Sequence, residues 1–411
     1  MTIRTVCKVD ISKPASEQPT PVHNRWHPNI NSVATVLPGE LFKVECIDWT
    51  GGQISNNDDA SDIANVDLSQ VHYLSGPIHV SGAEPGDLLC VEISDVQPIP
   101  GNEWGFTGIF ARNNGGGFLD EHYPEAAKAI WDFEGIFAKS RHIPGVRFAG
   151  LIHPGLMGCA PSQELLETWN KREAELISTD PNRIPALANP PTLKGAWMHN
   201  ASCTHSHGHD AARTVPPREH GGNCDIKNLS RGSKVYFPVY VTGAKLSMGD
   251  IHFSQGDGEI SFCGAIEMAG ILTLKTEIIK NGMALYGAKN PIYLPGPVEP
   301  RYNRLLTFQG ISVDEAGKQF FLDATISYRM ACLNAIEHLK KFGYTGYQAY
   351  LLLGAAPVEG KLAGIVDVPN ACATIGLPLE IFDFDLTPVS GGPIVHNLGD
   401  CARVVGKKPS K

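Results

Sequence analysis

The chain of 411 residues carries a formal charge of −9 with 42% apolar residues, the balance of an ordinary folded protein long enough to bury a sizeable core. An excess of acid without any Lys/Arg block argues against a general nucleic-acid surface, and no run approaches the roughly 20 apolar residues that a membrane helix needs. No targeting segment follows the opening MTIRTVCKVD, so a soluble, cytoplasmic protein that binds neither nucleic acid nor membrane is expected. Ten cysteines lie scattered without CxxC spacing and read as reduced thiols. With 43 glycines and 30 prolines, above the ~12% combined share usual in globular chains, turns are frequent and helices few.

In chain order, ATVLPGELFKVECIDWTGGQI at 34–54 gives a Pro-Gly turn and then an alternating strand at LFKVECI. The same grammar returns at 79–99 and at 226–250, a Gly-centred turn before a strand of Val, Leu or Tyr, and it suggests sandwich or barrel building blocks more than βαβ units. NNGGG at 113–117 lacks the GKS/GKT ending of a phosphate loop and reads as a turn. From 159 to 217 the character changes: a short helix at SQELLETWNKREAEL precedes about 40 residues rich in proline and without period, a lid, an interface arm or a disordered insertion. Its HSHGHD at 205–210 reads as solvated loop histidines before it reads as a metal site. The persuasive helix comes late, in FFLDATISYRMACLNAIEHLKKFGY, with Leu322, Ile326, Met330, Leu333 and Ile336 as its apolar stripe and Lys340 and Lys341 in the last turn. A second short helix at 345–355 and a return to strands follow. The expectation is a mainly β fold, sandwich- or barrel-like in its N-terminal and central parts, with an α+β C-terminal portion. By region it divides into 1–158 (β-rich), 159–217 (insertion), 218–310 (central β-rich, catalytic) and 311–411 (α+β).

Chemistry concentrates in SMGDIHFSQGDGEI at 247–260. Asp250 and His252, two apart, face one side of a strand; Asp257 and Glu259 repeat the relation past a turn, so a hairpin could bring four ligating groups to one point. Oxygen and imidazole ligands suit Zn²⁺, Mn²⁺ or Ca²⁺, although Asp-Gly beside a strand is equally a hairpin signal. In REHGGNCD at 218–225, His220 and Asp225 flank Gly-Gly, and Asn223 could donate to a polarised carbonyl. His153, before a Pro-Gly turn, reads as structural. Asp48, Asp58, Asp59 and Asp62 read as solvated or capping residues. Neither GxSxG nor HExxH occurs, and Cys159 or Cys224 as a nucleophile competes with the commoner role of Cys as a small core residue.

PREHGGNCDIKNLSRGSKVYFPVYVTGAKLSMGDIHFSQGDGEISFCGAIE at 217–267 resembles the signature region of the acetamidase/formamidase family, with its HGGNxDIK and GDxHxxxGDGE. SGPIHVSGAEPGDLLCVEI at 75–93 and GLMGCAPS at 155–162 resemble two further family segments, and the resemblance runs from about 20 to 400, closest to the formamidase branch. It implies a mostly β homo-oligomer, dimer, trimer or higher, that hydrolyses a short amide, formamide preferred and acetamide poorer. Family positions fall on His220, Gly221, Gly222, Asn223, Asp225, Asp250, His252, Asp257 and Glu259. Cys224 stands where many relatives have Met, which weakens the case for a required thiol. On this reading Asp225, Asp250 and His252 hold a divalent ion, zinc before manganese or calcium, whose water attacks the amide. Glu259 or Asp257 moves the proton, Asn223 or a backbone N–H steadies the oxyanion, and His220 belongs to the catalytic set. The competing readings are a Cys-nucleophile amidase and a metal-stabilised, non-catalytic module that binds carbohydrate or anions.

Overall fold

The computed structural model describes residues 3–198, 208–297 and 302–404, so that 205–207 of HSHGHD lie outside them. Alternation sets the first sheet. Along Leu41–Cys46, Phe42, Val44 and Cys46 are buried while Leu41 is exposed. That strand lies between Arg4–Cys7 and Gly270–Ile279, and the order continues through Leu88–Pro98, Lys234–Pro238 and Ile292–Leu294 to make six strands, antiparallel except for the first pair.

The second sheet has 13 strands among the described residues, and its path runs through Ala127–Glu134, Trp104–Ile109, Cys263–Met268, Leu246–His252 and His153–Cys159 to Gly221–Asn223. Leu246–His252 and His153–Cys159 are buried at every position. They therefore lack the polar face of an edge strand and sit inside the molecule, as near-continuous burial demands. Val44, Val91 and Leu272 of the first sheet share one core with Trp131, Met248 and Ile266 of the second. Strands from either side of residue 158 pair within both sheets.

The fold is mainly β with an α+β C-terminal portion, as expected. Leu305–Ile311, Cys372–Pro378 and Glu359–Gly364 form an antiparallel sheet; the helices Ala324–Lys340 and Gly346–Ala355 belong to the same portion. The expected late helix is present, capped by Asp323, but its buried face is a correction. Ser327, Ala331, Cys332, Ala335, Ile336 and Leu339 are buried, and of the expected stripe only Ile336 is among them. The cause is a close approach to the sheet: a β-carbon at Gly310 would lie 2.0 Å from Ser327 O and 2.4 Å from Ala331 N, so small side chains win the contact face. The helix expected at the start of the insertion is Gln163–Thr179, capped by Ser162. Beyond it the irregular chain is tied down by Arg25, which donates to Thr192 O and Lys194 O, and by Asn24, which donates to Gly195 O. Among the described residues, no helix is long and apolar enough to cross a membrane.

Candidate metal and catalytic site

Strand register assembles the site. His252 lies opposite His153 on one neighbour and opposite Glu267 on the other, and Asp250 sits two residues back on the same strand. Asp225 follows the strand Gly221–Asn223, and Glu259 comes from the turn after Leu246–His252. Asp225, Asp250 and Glu259 hold φ of 49°, 56° and 39°, left-handed backbone that costs non-glycine residues of order 1 kcal/mol or more each and that clusters at functional sites. Ligand atoms of Asp225, Asp250 and His252 lie within 4.8 Å of one another, as do those of His252, Glu259 and Glu267.

The imidazole of His252 is oriented from behind. Gln255 Nε2 donates to Asp225 O at 2.6 Å, which turns Gln255 Oε1 towards His252 Nδ1 at 3.0 Å. An oxygen there only accepts, so Nδ1 carries the hydrogen and Nε2 points at the carboxylates, 3.0 Å from Glu267 Oε2 and 3.4 Å from Asp250 Oδ1. These pairs are close but misaligned: His252 Nε2, Glu267 Oε2 and Asp225 Oδ1 are buried without a hydrogen-bond partner. An imidazole whose far N–H is held by a carbonyl, with unpartnered oxygens around its near nitrogen, is the donor set of a divalent cation; the residues present fit one. His153 completes the rear. Its Nδ1 donates to Leu151 O at 2.6 Å, and burial, reinforced by His252, lowers its pKa to about 3.

The acids crowd one another. Burial, reinforced by Asp250, raises Asp225 to about 6; burial raises Glu267 to about 8 although His252 opposes it. Glu259 is pushed well above the usual carboxylate range by burial and by Asp225. For Asp250, burial is outweighed by His252 and His72, which hold it low, and for His252, burial is outweighed by Glu267 and Asp250, which raise it. A cavity of ≈ 250 Å³ opens onto this cluster, walled by His72, Phe118, Asn223, Ser261 and Phe262 beside Asp225, Glu259 and Glu267.

Residues 8–384 match the model of the acetamidase/formamidase family. The chain belongs to the acetamidase/formamidase family. It is 61% identical over 393 residues to a formamidase of Methylophilus methylotrophus, covering 95% of this chain and 97% of that one. It is 58% identical over 369 residues to an acetamidase of Mycolicibacterium smegmatis, covering 87% and 91%. A γ-lactamase from Delftia acidovorans has a solved structure that superposes with a TM-score of 0.96 at 60% identity, covering 98% of this chain and all of that one.

In this family member the sequence-predicted residues separate into two groups. Asp225, Asp250, His252 and Glu259 converge; Asn223 reaches the cavity wall, with Nδ2 donating to Val215 O at 3.0 Å and Oδ1 unpartnered. Asp257 instead faces Lys227 and the amide of Gly360. His220 is buried between the rings of Trp26 and Trp169, centroids 4.5 and 4.6 Å away, and burial holds it well below the ordinary histidine range. Cys159 is fully buried with its pKa pushed up, and burial raises Cys224 to about 12. Asp48, Asp58, Asp59 and Asp62 are taken up by Thr50 and Gly52, Arg141, Ser61 and Lys128 respectively. Sequence reasoning passed over Glu267, Gln255 and His72. Only Glu267 left a signal: a lone carboxylate inside the otherwise apolar strand Cys263–Met268 is seldom buried without a partner.

Proposed function

We propose that this chain is a formamidase, an amidohydrolase that cleaves formamide, and acetamide more slowly, to the carboxylate and ammonia. The observation that carries the reading is the cluster of buried Asp250, His252 and Glu267 with half-buried Asp225 and Glu259, whose unpartnered acceptors lie beside a small cavity. Asp225, Asp250 and His252 would hold a divalent cation, zinc before manganese or calcium, with Glu267 within reach. Such a cation supplies Lewis acidity, which amide hydrolysis at neutral pH needs because the carbonyl is a poor electrophile and water a weak nucleophile.

The chain's own groups do the rest. Glu259, with its raised pKa, takes the proton of the attacking water and returns it to departing ammonia. Asn223 Oδ1 accepts from the substrate N–H, and a free hydrogen of its amide or a neighbouring N–H donor faces the developing oxyanion. Cavity walls of Phe118 and Phe262 limit the acyl group; one methyl changes discrimination by only about 1–3 kcal/mol, so acetamide remains a substrate. A cysteine route has little support, because raised thiol pKa values leave Cys159 and Cys224 without thiolate at pH 7. The γ-lactamase relative favours a second reading within the same chemistry, since a γ-lactam is a cyclic amide. A homo-oligomer would cover the exposed Ile292, Tyr293 and Leu294 at the margin of the six-stranded sheet.

The deciding assay is ammonia release from formamide, acetamide and a γ-lactam before and after chelation, with Zn²⁺, Mn²⁺ or Ca²⁺ restored singly. Loss on chelation with metal-specific rescue is expected, as is an inactive Glu259→Gln that still binds metal. Full turnover in folded, metal-free protein would sink the metal role, and bound metal without any amide turnover would leave a binding module.

A further inference from the structure

Asp225 and Glu259, both half-buried, come from different segments of the chain and line the same cavity. Their meeting depends on how the two segments that carry them are held. Two residues beyond Asp225 stands Lys227; two before Glu259 stands Asp257. Lys227 Nζ and Asp257 Oδ1 are 3.1 Å apart, with the lysine side chain only 8% exposed, so an ion pair holds together the two segments that carry Asp225 and Glu259.

The tie is anchored in the C-terminal α+β portion. Lys227 Nζ also donates to Val358 O at 2.7 Å, Gly360 N donates to Asp257 Oδ2 at 2.9 Å, and Tyr328 Oη donates to Asp257 O at 2.5 Å. Backbone contacts extend the grip: Gly256 N to Gly354 O at 2.6 Å and Asp257 N to Val358 O at 3.2 Å. Two glycines make the approach possible. A β-carbon at Gly256 would stand 2.0 Å from Leu353 O, and one at Gly360 would stand 2.6 Å from Tyr328 Oη.

We propose that Lys227, Asp257 and Tyr328 are positioning residues: together they clamp the 256–259 turn so that Glu259 meets Asp225 and the cavity, and through them the C-terminal portion serves catalysis without touching substrate. The inference rests on the reading of Glu259 as the proton carrier. It also gives Asp257 a place other than proton transfer.

Lys227→Met, Asp257→Asn, Tyr328→Phe and the Lys227→Met/Asp257→Asn double variant are compared in full-length, metal-loaded protein for kcat and KM on formamide, metal content and Tm. Since ångström-scale misplacement of a catalytic group costs up to about 100-fold, kcat is expected to fall about tenfold or more in the first two and severalfold in Tyr328→Phe, with KM and metal content close to native. The double variant should be no worse than the poorer single, as partners in one interaction require, and Lys227→Arg should recover most of kcat. Near-native kcat with a lowered Tm would reduce the clamp to a structural tie and overturn the proposal. If the charge variants fail to fold, Tyr328→Phe, which deletes one hydroxyl, decides it in the same way. Glu259→Gln separates the layers: turnover in that variant defeats the proton-carrier reading, whereas its inactivity beside fully active Lys227→Met and Tyr328→Phe defeats the clamp alone.

Discussion

A β-carbon at position 155 would stand 2.4 Å from His252 Cε1, 2.7 Å from Asp225 Oδ1 and 2.9 Å from Asp250 Oδ2. All three atoms belong to side chains of the donor cluster, so an added carbon intrudes on it directly. Gly155→Ala should therefore spread the donor set, with metal affinity down about 10-fold to 100-fold, the range seen when ligand orientation is lost; titration of the chelated protein with Zn²⁺ checks it, and native affinity would mean that the cluster is not the metal site. Conversely, Cys159→Ser and Cys224→Ser should keep more than half of native formamide turnover, because neither thiol ionises near neutral pH. A collapse of kcat in folded Cys224→Ser would revive the nucleophile route. At this scale the motifs were informative. Side chains in GDIH, GDGE and NCD are polar groups beside glycine, and Asp225, Asp250, His252 and Glu259 could be picked out from that alone. Glu267 and His153 join them through strand register, which local spacing does not encode, Gln255 joins through His252 three residues before it, and Asp257 faces Lys227 instead because the turn after Gln255 is not a strand and does not keep period two.

Elements reveal where periodicity is enough and where it is not. Alternation in LFKVECI coincides with the observed burial of Phe42, Val44 and Cys46, since a strand has only two faces and polarity chooses between them. A helix offers a continuum of faces. In Ala324–Lys340 the larger apolar residues were the obvious stripe, yet Ser327 and Ala331 took the contact because the backbone of Gly310 comes so near. Contact distance, not hydrophobicity, sets that choice, and it is invisible until the sheet is in place. Gly310→Ala should accordingly force the helix outward and cost about 1–3 kcal/mol, the usual penalty of overpacking. A Tm depressed by several degrees is the expected readout; an unchanged Tm would show that the helix can shift freely. Because Tyr328 lies on that same helix, kcat measured well below the melting temperature should fall as well.

At the scale of the whole molecule, the two large sheets share one core whose members run from Cys7 to Cys401, and the acidic cluster sits within the larger sheet, so its protonation is linked to global stability. Asp225 and Glu267 have pKa values near 6 and 8 in the folded chain against roughly 4 for unfolded carboxylates. The protons that these carboxyls hold in the folded chain act to lower stability as pH rises, whereas His72, His142, His153 and His220, which burial keeps neutral, act the opposite way below the ordinary imidazole value of about 6.5. In metal-free protein the net fall in stability is therefore expected from about pH 6.5 to pH 8. His252, raised above the ordinary imidazole value, acts in the same direction. A bound cation removes the reason for those protons, because it stabilises the ionised carboxylates and competes with protons for them. Thermal unfolding at pH 6.5, 7, 7.5 and 8 should thus show Tm decreasing with pH in chelated protein, while the metal-loaded protein gains in Tm over the chelated form and the gain widens towards pH 8. Parallel curves for the two forms would mean that metal and proton do not share these carboxylates, and the donor set would have to be sought elsewhere in the fold.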